Sequence, residues 1–293
     1  MKWLAHCLNS TKPFSVIVVD NCSRDGTIDF IKENHPNINV YQQEKNLGFG
    51  QANNIGIKHA LDKGAEAVFL LNQDAYLQKD TLKKLNFFSK NHPHFGILSP
   101  IHLDSTEKRM DRNFSYYLNF DNNKDFYSDA ILGELKESYE VPFVNAAGWF
   151  IPKSTLTIVG GFDPIFFHYG EDDNFCQRLR FHKLKIGIIT QCFLIHDREN
   201  REKPVVLKYS KQYLQGIENS LKVKWGDLHV DFTNFVIKNI KKQQLKTFIK
   251  LLLKGRIKKF QFHFALYYFH KKWIKEIRNS RKINKTIGKH YLK

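Results

Sequence analysis

The chain has little cysteine and no long apolar run. Cys7, Cys22, Cys176 and Cys192 are its only cysteines, and no two stand in a C-x-x-C spacing. That scarcity excludes a disulfide scaffold and a thiolate metal centre, and it suits a reducing compartment. No apolar stretch approaches the ~18 to 20 residues of a membrane-spanning helix, and Met1 to Lys12 lacks the apolar core of a signal peptide. The expectation is a cytoplasmic protein that neither spans a membrane nor is exported. Acidic residues are nearly absent from the last sixty positions. Residues 234–293 hold 18 of the 46 Lys+Arg and, in Glu276, one of the 29 acids. The remainder carries 28 of each sign, so the whole net charge of +17 sits in the tail.

With 42% hydrophobic and 14% aromatic residues, 293 residues are ample for a core. Strand-length runs at Ser15–Val19, Ile38–Tyr41, Ala67–Leu71, Gly96–Ser99, Val144–Ile151 and Lys185–Thr190 alternate with helical patterns at Ala52–Ala60 and Lys79–Asn91. Such alternation predicts an α/β fold with a mostly parallel sheet flanked by helices. Residues 103–140 are polar and weakly periodic, and read as a long excursion beside the sheet, where substrate sites are often shaped.

The most informative stretch is Gly160-Gly161-Phe162-Asp163 followed by Gly170-Glu171-Asp172-Asp173-Asn174. Three consecutive carboxylates repel one another and resist burial, so a fold gathers them only where a helix N-terminus, a cation or a substrate hydroxyl offsets the repulsion. Helix capping and chemistry are both open readings from these residues alone. In the tail, the run Phe260 to Trp273 sets aromatic residues among Lys and Arg. It reads either as an interfacial helix on an anionic membrane surface or as a helical subdomain with a solvated basic face.

Four segments in order, Val16–Thr27, Asn46–Gly56, Leu70–Asp74 and Gly160–Asp163 with Glu171-Asp172, resemble the inverting family 2 glycosyltransferases of GT-A fold, especially their bacterial rhamnosyltransferase-like branch. The resemblance spans about residues 3 to 220. It implies a GT-A domain over 1–225, and 226–293 is read as a basic amphipathic helical tail. It also implies a nucleotide-sugar donor and a Mg2+ or Mn2+ cofactor.

Particular residues take roles by that likeness. Asp20 accepts from the imide N–H of the nucleobase, with an Asx-turn as its competing role. Asn46, Gly48 and Asn53 bind the nucleotide, or else make a plain turn into a helix. Asp74 resembles the last acid of a DxD-like motif, reduced here to Asn72-Gln73-Asp74, and His196 is its companion at the metal unless it is structural. Asp172 is the catalytic base, with Glu171 and Asp173 at the acceptor; Arg178 pairs with an acid or with phosphate. Trp149 stacks on a sugar ring or is a core aromatic.

Two departures stand out. Relatives usually carry another acid at the position of Asn174. They also open with a strand bearing an aromatic-Asn signature, whereas Leu4 to Ser10 already resembles the helix that follows it. The reading is a cytoplasmic, membrane-surface transferase adding one sugar to a lipid-linked or polysaccharide acceptor. The alternatives are a shortened, inactive homologue that acts as a binding or scaffold protein and, less favoured because the body is neutral, a nucleic-acid binder; no nucleic acid partner is expected.

Overall fold

The computed structural model describes residues 2–196, 205–254 and 257–292. It divides the chain into two units, Met1–Glu202 with Ile287–Lys293, and Lys203–Thr286. In the first unit, helix α1 (Lys2–Ser10) precedes β1 (Ile17–Asp20), α2 (Thr27–Asn34), β2 (Asn39–Gln42), α3 (Phe49–Asp62), β3 (Ala67–Leu71), β4 (Ala75–Leu77) and α4 (Thr81–Asn91). Then come β5 (Phe95–Leu103), α5 (Arg112–Ser115), α6 (Phe126–Leu132), β6 (Ser138–Glu140), β7 (Gly148–Pro152), α7 (Lys153–Val159), α8 (Glu171–Phe181) and β8 (Lys185–His196).

The expected α/β fold is present, with every anticipated strand, but the sheet is mixed rather than mostly parallel. The main sheet runs β3-β7-β5-β8-β4 with β6 also on β8, and β1-β2 form a separate parallel pair. Among the described strands only β1–β2 and β5–β8 pair in parallel. The pairs β3–β7, β4–β8, β5–β7 and β6–β8 are antiparallel. Parallel neighbours need a crossover, which α2 supplies between β1 and β2. β7 instead arrives from the excursion after β5 and runs back against both β5 and β3.

That excursion is anchored, not loose. Phe114 and Leu118 are wholly buried and Phe126 nearly so, all in the main core with Trp149, Ile151, Leu156, Phe162 and Phe175. α1 is tied to the β3–β4 turn: the Leu77 N–H donates to Ser10 Oγ at 3.1 Å, and Cys7 lies 3.6 Å from the Asn72 carbonyl.

The main long-range anchor of α3 is Asn54. Its Nδ2 donates to the Phe162 carbonyl at 2.8 Å and its Oδ1 accepts from the Phe162 N–H at 2.7 Å. One buried amide thus satisfies both backbone groups of a residue 108 positions away. A Cβ on Gly161 would meet Asn54 Oδ1 at 2.3 Å, so only glycine allows this approach. Asn54→Ala leaves two buried backbone groups unsatisfied, at about 1–3 kcal/mol each. We expect a loss of about 2–4 kcal/mol, read from the urea midpoint at unchanged m-value; a shift under about 0.5 kcal/mol would show that the bracket contributes little.

Candidate active site

At the end of β1 the chain makes a polar turn. Asp20 is buried and accepts from the Ser23 N–H at 3.1 Å, the Asx-type bond weighed from the sequence. Its neighbour Asn21, which the sequence reading passed over, organises the next segment. Asn21 accepts from the Leu47 N–H at 2.7 Å and donates to Asn46 Oδ1 at 3.0 Å, while Asn46 accepts from the Gly48 N–H at 2.8 Å. Gly48 holds φ +82°, and a Cβ there would lie 1.9 Å from the Phe167 carbonyl oxygen. The predicted nucleotide turn therefore touches the loop that leads into the acids. Asn53 donates within its own helix, to the Phe49 carbonyl at 3.0 Å.

The second station forms by strand register. β4 and β8 pair antiparallel with Ala75 opposite His196, which brings His196 Nε2 to 3.4 Å from Asp74 Oδ2. His196 is buried, and its Nδ1 has no hydrogen-bond partner among the described residues. Two ligands side by side in an octahedral shell at ~2.1 Å stand roughly 3 Å apart. The spacing and the oxygen-plus-imidazole donor set therefore fit a shared divalent cation, with most of the shell left for phosphate or water. No group of three or more His, Cys, Asp or Glu with such a disposition occurs among the described residues.

The third station is the N-terminus of α8. Gly170 precedes it at φ 95°, and Glu171, Asp172 and Asp173 fill its first turn. Pure capping would stabilise the charged forms and lower these pKa values. The opposite holds: burial, reinforced by the neighbouring acids, pushes Glu171 up to about 7 and Asp172 up to about 6, and burial raises Asp173 as well. Asp172 is only partly restrained by N–H groups, including those of Asp173 and Ala146. Glu171 Oε2 is buried without a hydrogen-bond partner among the described residues.

The second and third stations converge on two consecutive residues. The Ala146 N–H acts on the Asp172 carboxylate, helping to hold its pKa down, and the Ala147 carbonyl accepts from the Asn72 N–H at 3.1 Å. Nothing in the composition of this approach to β7 signalled that link.

Two expectations are corrected. Trp149 is completely buried, stacked on Phe162 at 5.9 Å and tilted against Phe175 at 5.4 Å, so it has no face for a sugar. β7 is an interior strand between β3 and β5, and its side chains are mostly buried there. The exposed aromatics near the acids are Phe167 and Tyr169. Arg178 pairs with neither an acid nor an open phosphate position: it is buried and donates to Asn174 Oδ1 at 2.9 Å and to the Val159 and Gly161 carbonyls at 2.7 Å each.

The second unit contains α9 (Lys211–Gly226), α10 (Asn234–Leu253) and α11 (Ile257–Asn284). The aromatic run is divided: Trp273 is buried, whereas Phe264, Tyr267 and Tyr268 are exposed. Leu266 is also buried, Phe248 packs on Phe260, and Lys222 is enclosed between Glu218 and Glu276 at 2.5 and 3.0 Å. A further exposed apolar face is on α10, where Leu245, Ile249, Leu252 and Leu253 stand among Lys246, Lys250 and Lys254. No described helix is long and apolar enough to cross a membrane.

A central mixed sheet flanked by helices, with one acid at the β3–β4 turn and an acidic start to α8, is the arrangement of a GT-A fold. Residues 2–145, just under half of the chain, match the family model Glycosyl transferase family 2, so that this stretch carries that family's domain. It is 26% identical over 187 residues to the dTDP-rhamnosyl transferase RfbF of Shigella flexneri, covering 62% of this chain and 59% of that one. It is 27% identical over 190 residues to the low-salt glycan biosynthesis hexosyltransferase Agl10 of Haloferax volcanii, covering 63% and 58%. The chain thus spans under two thirds of the length of these relatives. The Staphylococcus aureus TarS structure solved with UDP superimposes with a TM-score of 0.51 at 18% identity, over 79% of this chain and 63% of that one, a likeness of fold.

The raised Glu171 pKa has a stability consequence. Its folded value of about 7 lies above the ordinary 4.5, so the ionised form is the costly one. That cost is absent below about pH 4.5, grows as the pH rises and is complete above about pH 7. Glu171→Gln should therefore stabilise the protein at pH 8 by on the order of 2 kcal/mol and by almost nothing at pH 4. Thermal midpoints at the two pH values check this; an equal effect at both would rule out burial of the charge as its cause.

Proposed function

We propose that the chain moves one sugar from a UDP- or dTDP-linked donor to a lipid-linked or polysaccharide acceptor, with inversion, in cell-surface glycan synthesis. The observation that carries this reading is the convergence of Asp172 and the Asn72-Gln73-Asp74 turn through Ala146 and Ala147. Inverting transfer needs a proton acceptor on one side of the anomeric carbon and charge neutralisation at the leaving diphosphate on the other. Two acidic stations joined by two residues suit that division.

Asp172 takes the proton from the acceptor hydroxyl as it attacks. A carboxyl raised to about 6 is still ionised at neutral pH and is a better base than an ordinary aspartate. Glu171 and Asp173 orient the acceptor. At the donor end, Asp20 receives the base N–H, while Asn46, Gly48 and Asn53 line the nucleotide side. Asp74 and His196 would hold Mg2+ or Mn2+, which when bound neutralises charge on the diphosphate. The similarity to RfbF and Agl10, both named as sugar transferases, supports a nucleotide-sugar donor.

Asp172→Asn should lower turnover at least about a hundredfold while leaving donor affinity within twofold. In the unmodified protein, turnover should rise with pH through about 6 as Asp172 ionises, the proton having to be gone before it can accept another. Radiolabelled sugar transfer plus calorimetry with the nucleotide diphosphate and Mn2+ would test both. Full turnover in the variant would remove Asp172 as base; an unmodified protein that binds nucleotide but neither transfers nor hydrolyses the sugar would favour the binding-protein alternative.

The α10 face supports location at the inner surface of the cell membrane. Apolar side chains between lysines match an anionic lipid interface, where each basic residue contributes about 1 kcal/mol. Reversing Lys246, Lys250 and Lys254 to Glu should weaken binding to vesicles containing anionic lipid by at least about a hundredfold. Co-sedimentation at low salt measures this, and unchanged binding of the triple variant would exclude α10 as the contact.

A further inference from the structure

The chain leaves the first unit at residue 202 and returns to it at 287, where a short segment after α11 packs onto the loop that carries the site acids. We propose that residues 287–292 are a latch that positions the acidic start of α8, with the His290 backbone and the Tyr291 hydroxyl as its positioning groups. The role in transfer rests on the reading of Asp172 as base; the latch itself does not.

Nearly every backbone polar group of the turn after α7 has an assigned partner, and the latch supplies a share that no nearer residue does. The Gly288 N–H donates to the Ile158 carbonyl at 3.1 Å, and the Gly161 N–H donates to the His290 carbonyl at 2.8 Å. The Tyr291 hydroxyl donates to Asp163 Oδ2 at 3.2 Å, while Asp163 Oδ1 accepts from the Ile165 N–H at 3.1 Å. Leu292 anchors the segment in the main core, and the Tyr291 ring lies 5.7 Å from the buried Arg178 guanidinium. A Cβ on Gly160 would stand 2.4 Å from the His290 carbonyl oxygen, so the two backbones are as close as glycine permits. Gly160 also has φ +79°, a conformation that a side chain would strain.

The loop 160–170 runs directly into Glu171, Asp172 and Asp173. A displacement of the reacting group by about 1 Å can cost about a hundredfold in rate without weakening substrate binding. Opening the latch therefore acts on turnover before it acts on donor affinity.

The first measurement is amide hydrogen exchange on the full chain and on Leu292→Ala. The Gly161 amide should exchange at least about tenfold faster in the variant while β5 and β8 amides keep their protection. Unchanged protection at Gly161 would overturn the latch. The second is transfer kinetics of Tyr291→Phe, which removes one hydroxyl and preserves the ring. We expect kcat about tenfold lower, with donor KM within twofold and an unchanged pH midpoint. A full kcat in that variant, or a loss matched by an equal rise in donor KM, would make the segment merely structural and overturn the positioning role. Absence of transfer by the unmodified protein would count against the proposed reaction alone, because the exchange measurement decides the latch independently.

Discussion

The site depends on a buried cation that carries no chemistry. Arg178 lies inside the first unit, where taking a charge out of water costs several kcal/mol. Burial accordingly lowers its pKa, while the charge of Asp163 opposes that shift. Three charge-assisted hydrogen bonds offset the cost, each worth about 1.5–3 kcal/mol. Two of them end on the Val159 and Gly161 carbonyls. Those carbonyls belong to a turn that two glycines make flexible, so the guanidinium fixes a backbone whose own residues would not. The third bond, to Asn174, joins the same cation to the first turns of α8. A turn and a helix start held by one group move as one body.

This explains why three acids can persist side by side at a place that disfavours their charge. The helix N-terminus attracts them, but burial outweighs that attraction in Glu171 and Asp172, and both are poised nearer neutrality than ordinary carboxylates. Their position is set by Arg178, Asn54 and the latch rather than by their own interactions. The acids are therefore a cost that the surrounding hydrogen bonds sustain, the pattern expected where local stability yields to a chemical requirement.

The sequence made legible what depends on local pattern. Strand-length β-branched runs located six of the strands because burial demands apolar residues wherever a strand is covered. Asp74 and His196, paired from the resemblance though 122 residues apart, are found together, since Asp74 directly precedes β4, His196 ends β8 and the β4–β8 register closes the gap. What stayed hidden depends on long-range geometry. The direction of β7, and with it the mixed sheet, follows from how the excursion docks Phe114 and Leu118, which periodicity does not encode. Trp149 beside Gly148 read nearly equally as a sugar platform or a core ring, and only its place in an interior strand decided. Asn54 sits one residue from the predicted Asn53, and only the phase of α3 distinguishes an intrahelical amide from one that brackets Phe162. The segment 287–292 looks like the end of a basic tail because its bonds are mostly backbone, which no side-chain pattern announces.

Helix α3 finally accounts for how the Asp20 turn and the acidic start of α8 stay in register although β1–β2 share no ladder with the main sheet among the described strands. Its contacts fall on small residues. A Cβ on Gly56 would stand 3.2 Å from Val19 Cγ2, which seats the helix against β1 next to Asp20. One and a half turns earlier, a Cβ on Gly50 would lie 2.8 Å from Phe162 and 3.5 Å from the Glu171 Cβ, which seats the same helix against the acidic loop. Asn54 stands between these contacts and Gly48 just ahead of them, each bound to or touching that loop. Small side chains let three backbones approach, and the rigidity of a hydrogen-bonded helix then carries position from one end to the other. A larger residue at Gly50 or Gly56 would thus disturb both ends together, so the distance between the Asp20 and Asp172 carboxylates is a property of α3 rather than of either loop.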